Sequence, residues 1–327
     1  MRLFTGRRRS AVAAVGAIAA VGVLASVAFA ATAPPPLNKL KGSVTADGSS
    51  TVGPYTTAAA ELFARAGAKD VRVTVGISGT GGGFERFCKG EIDLSDASRP
   101  MKIKEAAICK TNNIGSWRAF TVANDALTVV VNKDNTWATC LSVDELKKIW
   151  NTGSKVSNWK DVRAGFPDEK IKLFGPGTDS GTFDYFTEAI NGKAKASRSD
   201  YGASEDDNVL VQGVSGEKGG LGYFGYSYYE ENQDKLRAVQ IRNPRTGNCV
   251  APSAKTAQNG TYKPLARPLF IYAKGSSFKR PEVQAFLRYI FANEVAIAKR
   301  AKFIPLTPAQ LKKARITFDL AVKAANK

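Results

Sequence analysis

Gly177-Thr178-Asp179-Ser180-Gly181-Thr182 is a run of small side chains and hydroxyls, and its flanks decide how the chain folds. Before it, Ile171-Lys172-Leu173-Phe174 reads as a strand; after it, Phe183, Tyr185, Phe186 and Ile190 recur at helical spacing. Strand, tight corner, helix is the unit of an α/β fold. The same unit occurs twice upstream. Asp47-Gly48-Ser49-Ser50-Thr51 runs into Pro54 to Ala66, with Tyr55, Ala59, Leu62 and Phe63 on one face and Pro54 in a permitted first-turn position. Val71 to Val75 reads as a strand leading to Ser78-Gly79-Thr80-Gly81-Gly82-Gly83. A helix start leaves N–H groups unpaired and carries partial positive charge. Three such corners converging on one point make a neutral, donor-rich cage for a small oxyanion.

Outward from the corners the alternation continues. Ala126 to Val131, Leu221 to Phe224 and Leu269 to Tyr272 read as strands. Ser142-Val143-Asp144-Glu145 is a capping box that sets Leu146, Ile149 and Trp150 on one helix face. Val283, Phe286, Leu287 and Ile290 give a helix over 281–292, and Thr307-Pro308 opens a last one. Asn191 to Asp207 is polar and aperiodic and is expected as a surface excursion. Asn243 to Lys263 is rich in Gly, Pro, Asn and Thr, holds Cys249, and is expected as a stapled loop.

The N-terminus reads as an export signal over residues 1–30. Arg2, Arg7, Arg8 and Arg9 lead, Ala11 to Phe29 is uncharged and apolar, and Ala28-Phe29-Ala30 fits small-x-small cleavage. A retained membrane anchor is the competing reading, and the Ala/Val/Gly make-up and Pro34-Pro35-Pro36 count against it. With no Cys near the cleavage point a lipoprotein route is not supported; Arg7-Arg8-Arg9 leaves a twin-arginine route open beside the general one. Losing this segment removes four arginines and no acids, so 47 basic residues become 43 against 29 acids, a net charge of +14. A basic exported chain attracts anions through its long-range field. No polybasic run interleaved with aromatics occurs in the mature part, so nucleic acid is not an expected partner.

Four cysteines in an exported chain favour disulfides over metal ligation. Three pairings exist; closeness in sequence favours Cys88–Cys109, leaving Cys140–Cys249. The chain has no histidine. That removes His-activated nucleophiles and the commonest zinc ligand, so neither a metal nor another cofactor is expected.

Taken in order, Asp47 to Val52, Ser78 to Gly83, Ile92-Asp93-Leu94-Ser95-Asp96-Ala97-Ser98-Arg99-Pro100 and Gly175 to Phe183 resemble the phosphate-binding proteins of bacterial phosphate ABC importers. Ile149-Trp150-Asn151, Asn158-Trp159-Lys160-Asp161, Gly219 to Tyr223 and Arg267-Pro268-Leu269 extend the likeness over the whole mature chain. The resemblance implies a type II periplasmic-binding-protein fold. Two α/β lobes would be joined by crossing strands near Thr121–Val131 and Ala266–Ala273. Lobe one would comprise 38–125 and 266–327, lobe two 126–265, closing on phosphate between them.

Carried over position by position, the resemblance implies phosphate contacts at Ser50, Thr51, Thr80, Gly81, Ser180, Gly181 and Thr182. Ser50 has a competing reading as a plain helix cap. Better-studied members of the family have an Asp where this chain has Ser98 and an Arg where it has Pro176. Arg99, beside Ser98, is the candidate to restore the charge, against a surface ion-pair reading. Asp47, Asp96, Asp125 and Asp179 are candidates to accept the phosphate proton. The resemblance thus implies a receptor, not an enzyme, expected as a monomer. It would hand phosphate to a membrane permease and an ATPase on other chains, since no GxxxxGK[ST] loop is present. The alternatives are a receptor for another tetrahedral oxyanion (sulfate, molybdate, arsenate) and a secreted phosphatase-like enzyme on the same fold. Lack of histidine and of a GxSxG elbow speaks against the enzyme.

Overall fold

The computed structural model describes residues 35–325; the export signal expected over 1–30 lies outside the described residues. Among these residues the strands are β1 (Gly42–Gly48), β2 (Val71–Gly76), β3 (Leu94–Ala97), β4 (Trp117–Asn132), β5 (Cys140–Leu141), β6 (Lys172–Gly175), β7 (Gly202–Ala203), β8 (Gly220–Gly225), β9 (Leu236–Ala238), β10 (Gln240–Arg242), β11 (Cys249–Val250) and β12 (Ala266–Lys274). The helices are α1 (Gly53–Arg65), α2 (Gly79–Cys88), α3 (Ile103–Thr111), α4 (Val143–Trp150), α5 (Gly181–Phe186), α6 (Asp207–Gly216), α7 (Tyr226–Glu231), α8 (Ala254–Gln258), α9 (Pro281–Ala292), α10 (Glu294–Arg300) and α11 (Pro308–Ala325). All the strands and helices expected from periodicity are present.

One large sheet runs β2-β1-β3-β12-β4-β8-β6-β7, with β9 also on β4, and β11-β10-β5 form a small second sheet. β1 lies parallel to β2 and β3, and β6 parallel to β7 and β8. Parallel neighbours need long crossovers, which is where the helices fall. The sheet serves two cores. Val44, Phe63, Phe120, Phe286 and Phe318 belong to one, built on β1, α1, α9 and α11. Leu146, Trp150, Trp159, Phe186 and Tyr223 belong to the other, built on α4, α5 and β8.

Two strands cross between these cores, which makes the fold two-lobed. β4 is sixteen residues long: Trp117 to Ala126 pair antiparallel with β12, and Leu127 to Val131 pair with β8. β12 starts at Ala266 in the second core and reaches Leu269 and Ile271 in the first. Residue 126, the expected start of lobe two, therefore lies inside β4, and residue 266 opens β12.

The capping box at α4 forms as its sequence dictates. Ser142 Oγ accepts from Glu145 N at 3.1 Å and Glu145 Oε2 accepts from Ser142 N at 2.8 Å. The disulfides are Cys88–Cys109, tying α2 to α3, and Cys140–Cys249, tying β5 to β11. Among the described residues no helix is long and apolar enough to cross a membrane.

Two expectations need correction. The Ser78 to Gly83 corner is not a loop ahead of a helix, because α2 starts at Gly79 and the corner is its first turn. Asn191 to Asp207 is not a free surface excursion. Arg198 is buried and donates to Ile149 O at 3.1 Å and Val156 O at 2.7 Å, and Asn191 Nδ2 donates to Trp150 O at 3.3 Å. Ile149 and Trp150 end α4, where carbonyls lack helical partners. The polar residues of the segment supply those partners, so it packs despite its lack of period.

Candidate functional site

Three corners meet. At the first, β1 ends at Gly48 with φ +144°, and a Cβ there would lie 2.1 Å from Asp96 O, so only glycine lets β1 turn this close to β3. Ser49, buried, caps the turn: its Oγ accepts from Thr51 N at 3.2 Å and Val52 N at 3.4 Å. Ser50 is not the helix cap: Val52 stands at the N-cap of α1 without a side-chain cap bond, and Ser49 holds the turn ahead of it. Ser50 itself lines the cleft on both of its sides.

At the second corner Thr80 Oγ1 accepts from Ser98 N at 3.2 Å and lies 3.1 Å from Ser98 Oγ. α2 is held in place by Asp47, which accepts from Ser78 N at 2.9 Å and pairs with Arg86. At the third, Ser180 Oγ caps α5 by accepting from Thr182 N at 3.1 Å. Gly181 lies directly on the first corner, and a Cβ there would fall 2.6 Å from Thr51 Oγ1 and 2.7 Å from Thr51 N. Thr51 Oγ1 donates to Gly181 O at 3.4 Å.

This contact divides the cleft. On one side is a cavity of about 230 Å³ walled by Ser50, Thr51, Thr80, Gly81, Ser98, Arg99 and Gly181, together with Arg267, Asp184 and Glu188. On the other is an open cleft of about 790 Å³, where Ser180 and Thr182 lie with Asp125, Asp179 and Asp207. Counting Ser98 and Arg99 with the contacts expected from the resemblance, seven of nine residues line the smaller space; Ser50, Thr51 and Gly181 line both, and Ser180 and Thr182 line only the larger one.

The cation nearest the corners is one that no local pattern in the sequence singles out. Arg267, on β12, donates from Nη2 to Thr51 Oγ1 at 3.0 Å and from Nε to Asp125 Oδ2 at 3.3 Å. Its guanidinium lies 3.5 Å over the Tyr185 ring, and only 13 % of its side chain is exposed. Planar stacking together with two polar partners fixes the fork. Asp125 is its partner residue in the β4–β12 register, which no sequence signal across 142 residues reveals. Arg99 also reaches the cavity, but both its Nη atoms donate to Glu105, at 2.9 and 2.7 Å.

The carboxylates sort by environment. Asp47 is consumed by Arg86 and Ser78, and its pKa is lowered, the backbone and side-chain bonds outweighing burial. Asp96 is wholly buried, accepts from Thr56 Oγ1 at 2.9 Å, and is pushed by desolvation up to about 7. It lines neither space. Burial raises Asp125, opposed by Arg267, and Asp125 lies on the larger side. Asp184 lines the small cavity and its pKa is raised, first by burial and further by Glu188, against Lys195 and Arg267. Asp184 was not among the acids expected from the sequence; it falls four residues after the cap Ser180 but lines the small cavity, whereas Ser180 lines the larger cleft.

The fold and this cleft define a two-lobed binding protein for a small ligand. Residues 33–294 match the PBP superfamily domain. Protein SphX of Synechococcus elongatus is 49 % identical over 265 residues, 80 % of this chain and 77 % of that one. Phosphate-binding protein PstS of Staphylococcus epidermidis is 40 % identical over 268 residues, 81 % of this chain and 79 % of its own. The crystal structure of a possible phosphate binding protein from Planctomyces limnophilus superposes with TM-score 0.83 at 49 % identity, covering 86 % of this chain and 99 % of that one. The chain belongs to the PBP superfamily, in the family of the PstS phosphate-binding proteins.

Proposed function

We propose that this protein captures inorganic phosphate in the small cavity and delivers it to a membrane ABC importer. The observation that carries the reading is the convergence of hydroxyls from two corners, the Gly181 backbone and one largely buried guanidinium on a single cavity. Arg267 supplies the charge. Ser50, Thr51, Thr80, Gly81, Ser98 and Gly181 supply hydroxyls and backbone groups around the anion, with Arg99 at the rim. Ser180 caps α5 through Thr182 N, and Gly181 between them meets the first corner at Thr51. A guanidinium-phosphate contact is among the stronger hydrogen bonds a protein makes.

The lobes on this reading are 38–125 with 266–327, and 126–265, moving about β4 and β12. Residues 1–30 direct export, and the mature chain works as a monomer outside the cytoplasm beside a permease and an ATPase. The relatives' names support phosphate over the other oxyanions. Support for a receptor rather than an enzyme comes from the binding-protein family and from the chain's lack of histidine. Calorimetric titration of ligand-stripped mature protein tests it: saturable one-to-one phosphate binding is expected. Absence of binding to phosphate would end the reading.

A further inference from the structure

Resting on that reading, we propose that the Cys88–Cys109 disulfide positions one wall of the phosphate cavity by clasping α3 to the rest of the molecule. α3 has almost no core of its own: Cys109 is its one buried residue, Ile103 is 92 % exposed and Ile108 48 %. α2, in contrast, buries Gly83, Phe84, Phe87 and Cys88 and is pinned by the Arg86–Asp47 pair. The disulfide joins the loosely seated helix to the firmly seated one, within a cluster that includes Phe84, Phe87 and Tyr272.

What α3 carries is the hold on residues 98–102. Glu105 accepts from both Nη atoms of Arg99, and its Oε2 also accepts from Lys102 N at 2.7 Å. Ser98, Arg99 and Lys102 all line the small cavity. Cys88 Sγ lies 3.5 Å from Glu105 O, so the bridge touches the backbone of the residue that does the holding. A helix of nine residues is marginal by itself and takes its stability from packing. Without the bridge, α3 loses the tie at its only buried residue, and Glu105 no longer fixes Arg99 and Lys102. Ser98 N on Thr80 Oγ1 and Met101 N on Tyr272 Oη remain as ties of the segment, at its start and its middle. Phosphate then has to order the segment as it binds, at a cost in affinity.

The test compares Cys88→Ala/Cys109→Ala with Cys140→Ala/Cys249→Ala, by thermal unfolding and by calorimetric titration with phosphate. The bridges span 21 and 109 residues of sequence, and losing the longer loop closure is expected to cost more stability. Neither Cys140 nor Cys249 lines the cavity. The two readouts should therefore rank the variants in opposite order. Removing Cys140–Cys249 lowers the thermal midpoint further and leaves phosphate affinity unchanged. Removing Cys88–Cys109 weakens phosphate binding by about threefold to tenfold, the range for one net hydrogen bond. A folded Cys88→Ala/Cys109→Ala protein with wild-type affinity overturns the inference, while phosphate capture itself stands. So does affinity that falls in step with stability in both variants. Wild type that does not bind phosphate overturns the phosphate reading instead. If a cysteine variant fails to fold, Ala107→Pro, on the exposed side of α3, breaks the helix with both bridges in place. Weakening over the same range is expected of it, and wild-type affinity again overturns the inference.

Discussion

Two arginine–carboxylate pairs flank the cleft and are built in opposite ways. Arg99 and Glu105 sit six residues apart at the Ser98 corner, with a two-pronged fork, short bonds and a quarter of the arginine side chain exposed. Arg267 and Asp125 face each other across β12 and β4, less exposed and joined by one longer bond of 3.3 Å, and they leave Nη2 free to reach Thr51. The local pair spends its charge on itself. The long-range pair holds its charge in place and directs part of it at the site. Proximity in sequence made Arg99 the visible candidate, but what counts is which guanidinium is bonded to a residue of the corners, and that is Arg267 through Nη2 to Thr51.

The largest expected effect is that of Arg267→Ala. It removes the cation from the cavity and strands Asp125, and breaking a buried pair from one side costs about 3–5 kcal/mol of stability. Denaturant unfolding with phosphate titration should report both losses. Phosphate affinity left intact would break the comparison at its base. Gly181→Ala comes next, since its Cβ would enter the space of Thr51. Overpacking of about 1–3 kcal/mol is expected in unfolding midpoints, with weaker phosphate binding because the first and third corners are pushed apart. An unchanged midpoint would mean that the two corners separate freely.

Arg99→Ala should lower phosphate affinity by less than about tenfold, under ~1.4 kcal/mol, because its fork is occupied by Glu105. A loss equal to that of Arg267→Ala would reverse the roles of the two arginines. The smallest effect is in the pH dependence of stability. Glu105 has its pKa lowered: burial raises it, but the bonds from Arg99 and Lys102 outweigh that. The unfolded chain then holds its proton more tightly, so this pair's contribution is full above the ordinary value of 4.5 and fades on acidification. Asp125 is raised by burial above 3.8 despite Arg267, so its contribution is greatest below 3.8 and falls as pH rises through its folded value. Urea unfolding between about pH 3 and about pH 6 should therefore change in opposite senses for Glu105→Gln and Asp125→Asn. Slopes changing in the same sense would mean that the two pairs are electrostatically alike.

Much of the fold was legible because its signals are local. The capping box at Ser142, the apolar stripe from Val283 to Ile290 and the strand at Val71 each depend on a few adjacent residues. The glycine-hydroxyl corners were legible as small residues beside helices, and seven of the nine expected site residues share one cavity. The placement of Ser180 and Thr182 on the other side was not, because it depends on Gly181 touching Thr51 across 130 residues. Asp184 had no local signal of its place: it falls four residues after Ser180 but lines the other space. Arg267 was noticed only as part of the Arg267-Pro268-Leu269 phrase, and nothing nearby in sequence marks it as the cation of the site.

The sequence by itself determined which segments form strands and helices, the backbone turn at Gly48, the exclusion of histidine chemistry and the supply of hydroxyls at three corners. All of these depend on side-chain volume, backbone freedom and hydrogen-bonding capacity within a few residues. Only the tertiary structure decided which arginine is bonded to the first corner and which carboxylates line the small cavity. Charge and solvation depend on neighbours a few ångströms away, and those neighbours come from β12, β4 and α5, which the chain brings together only when it folds.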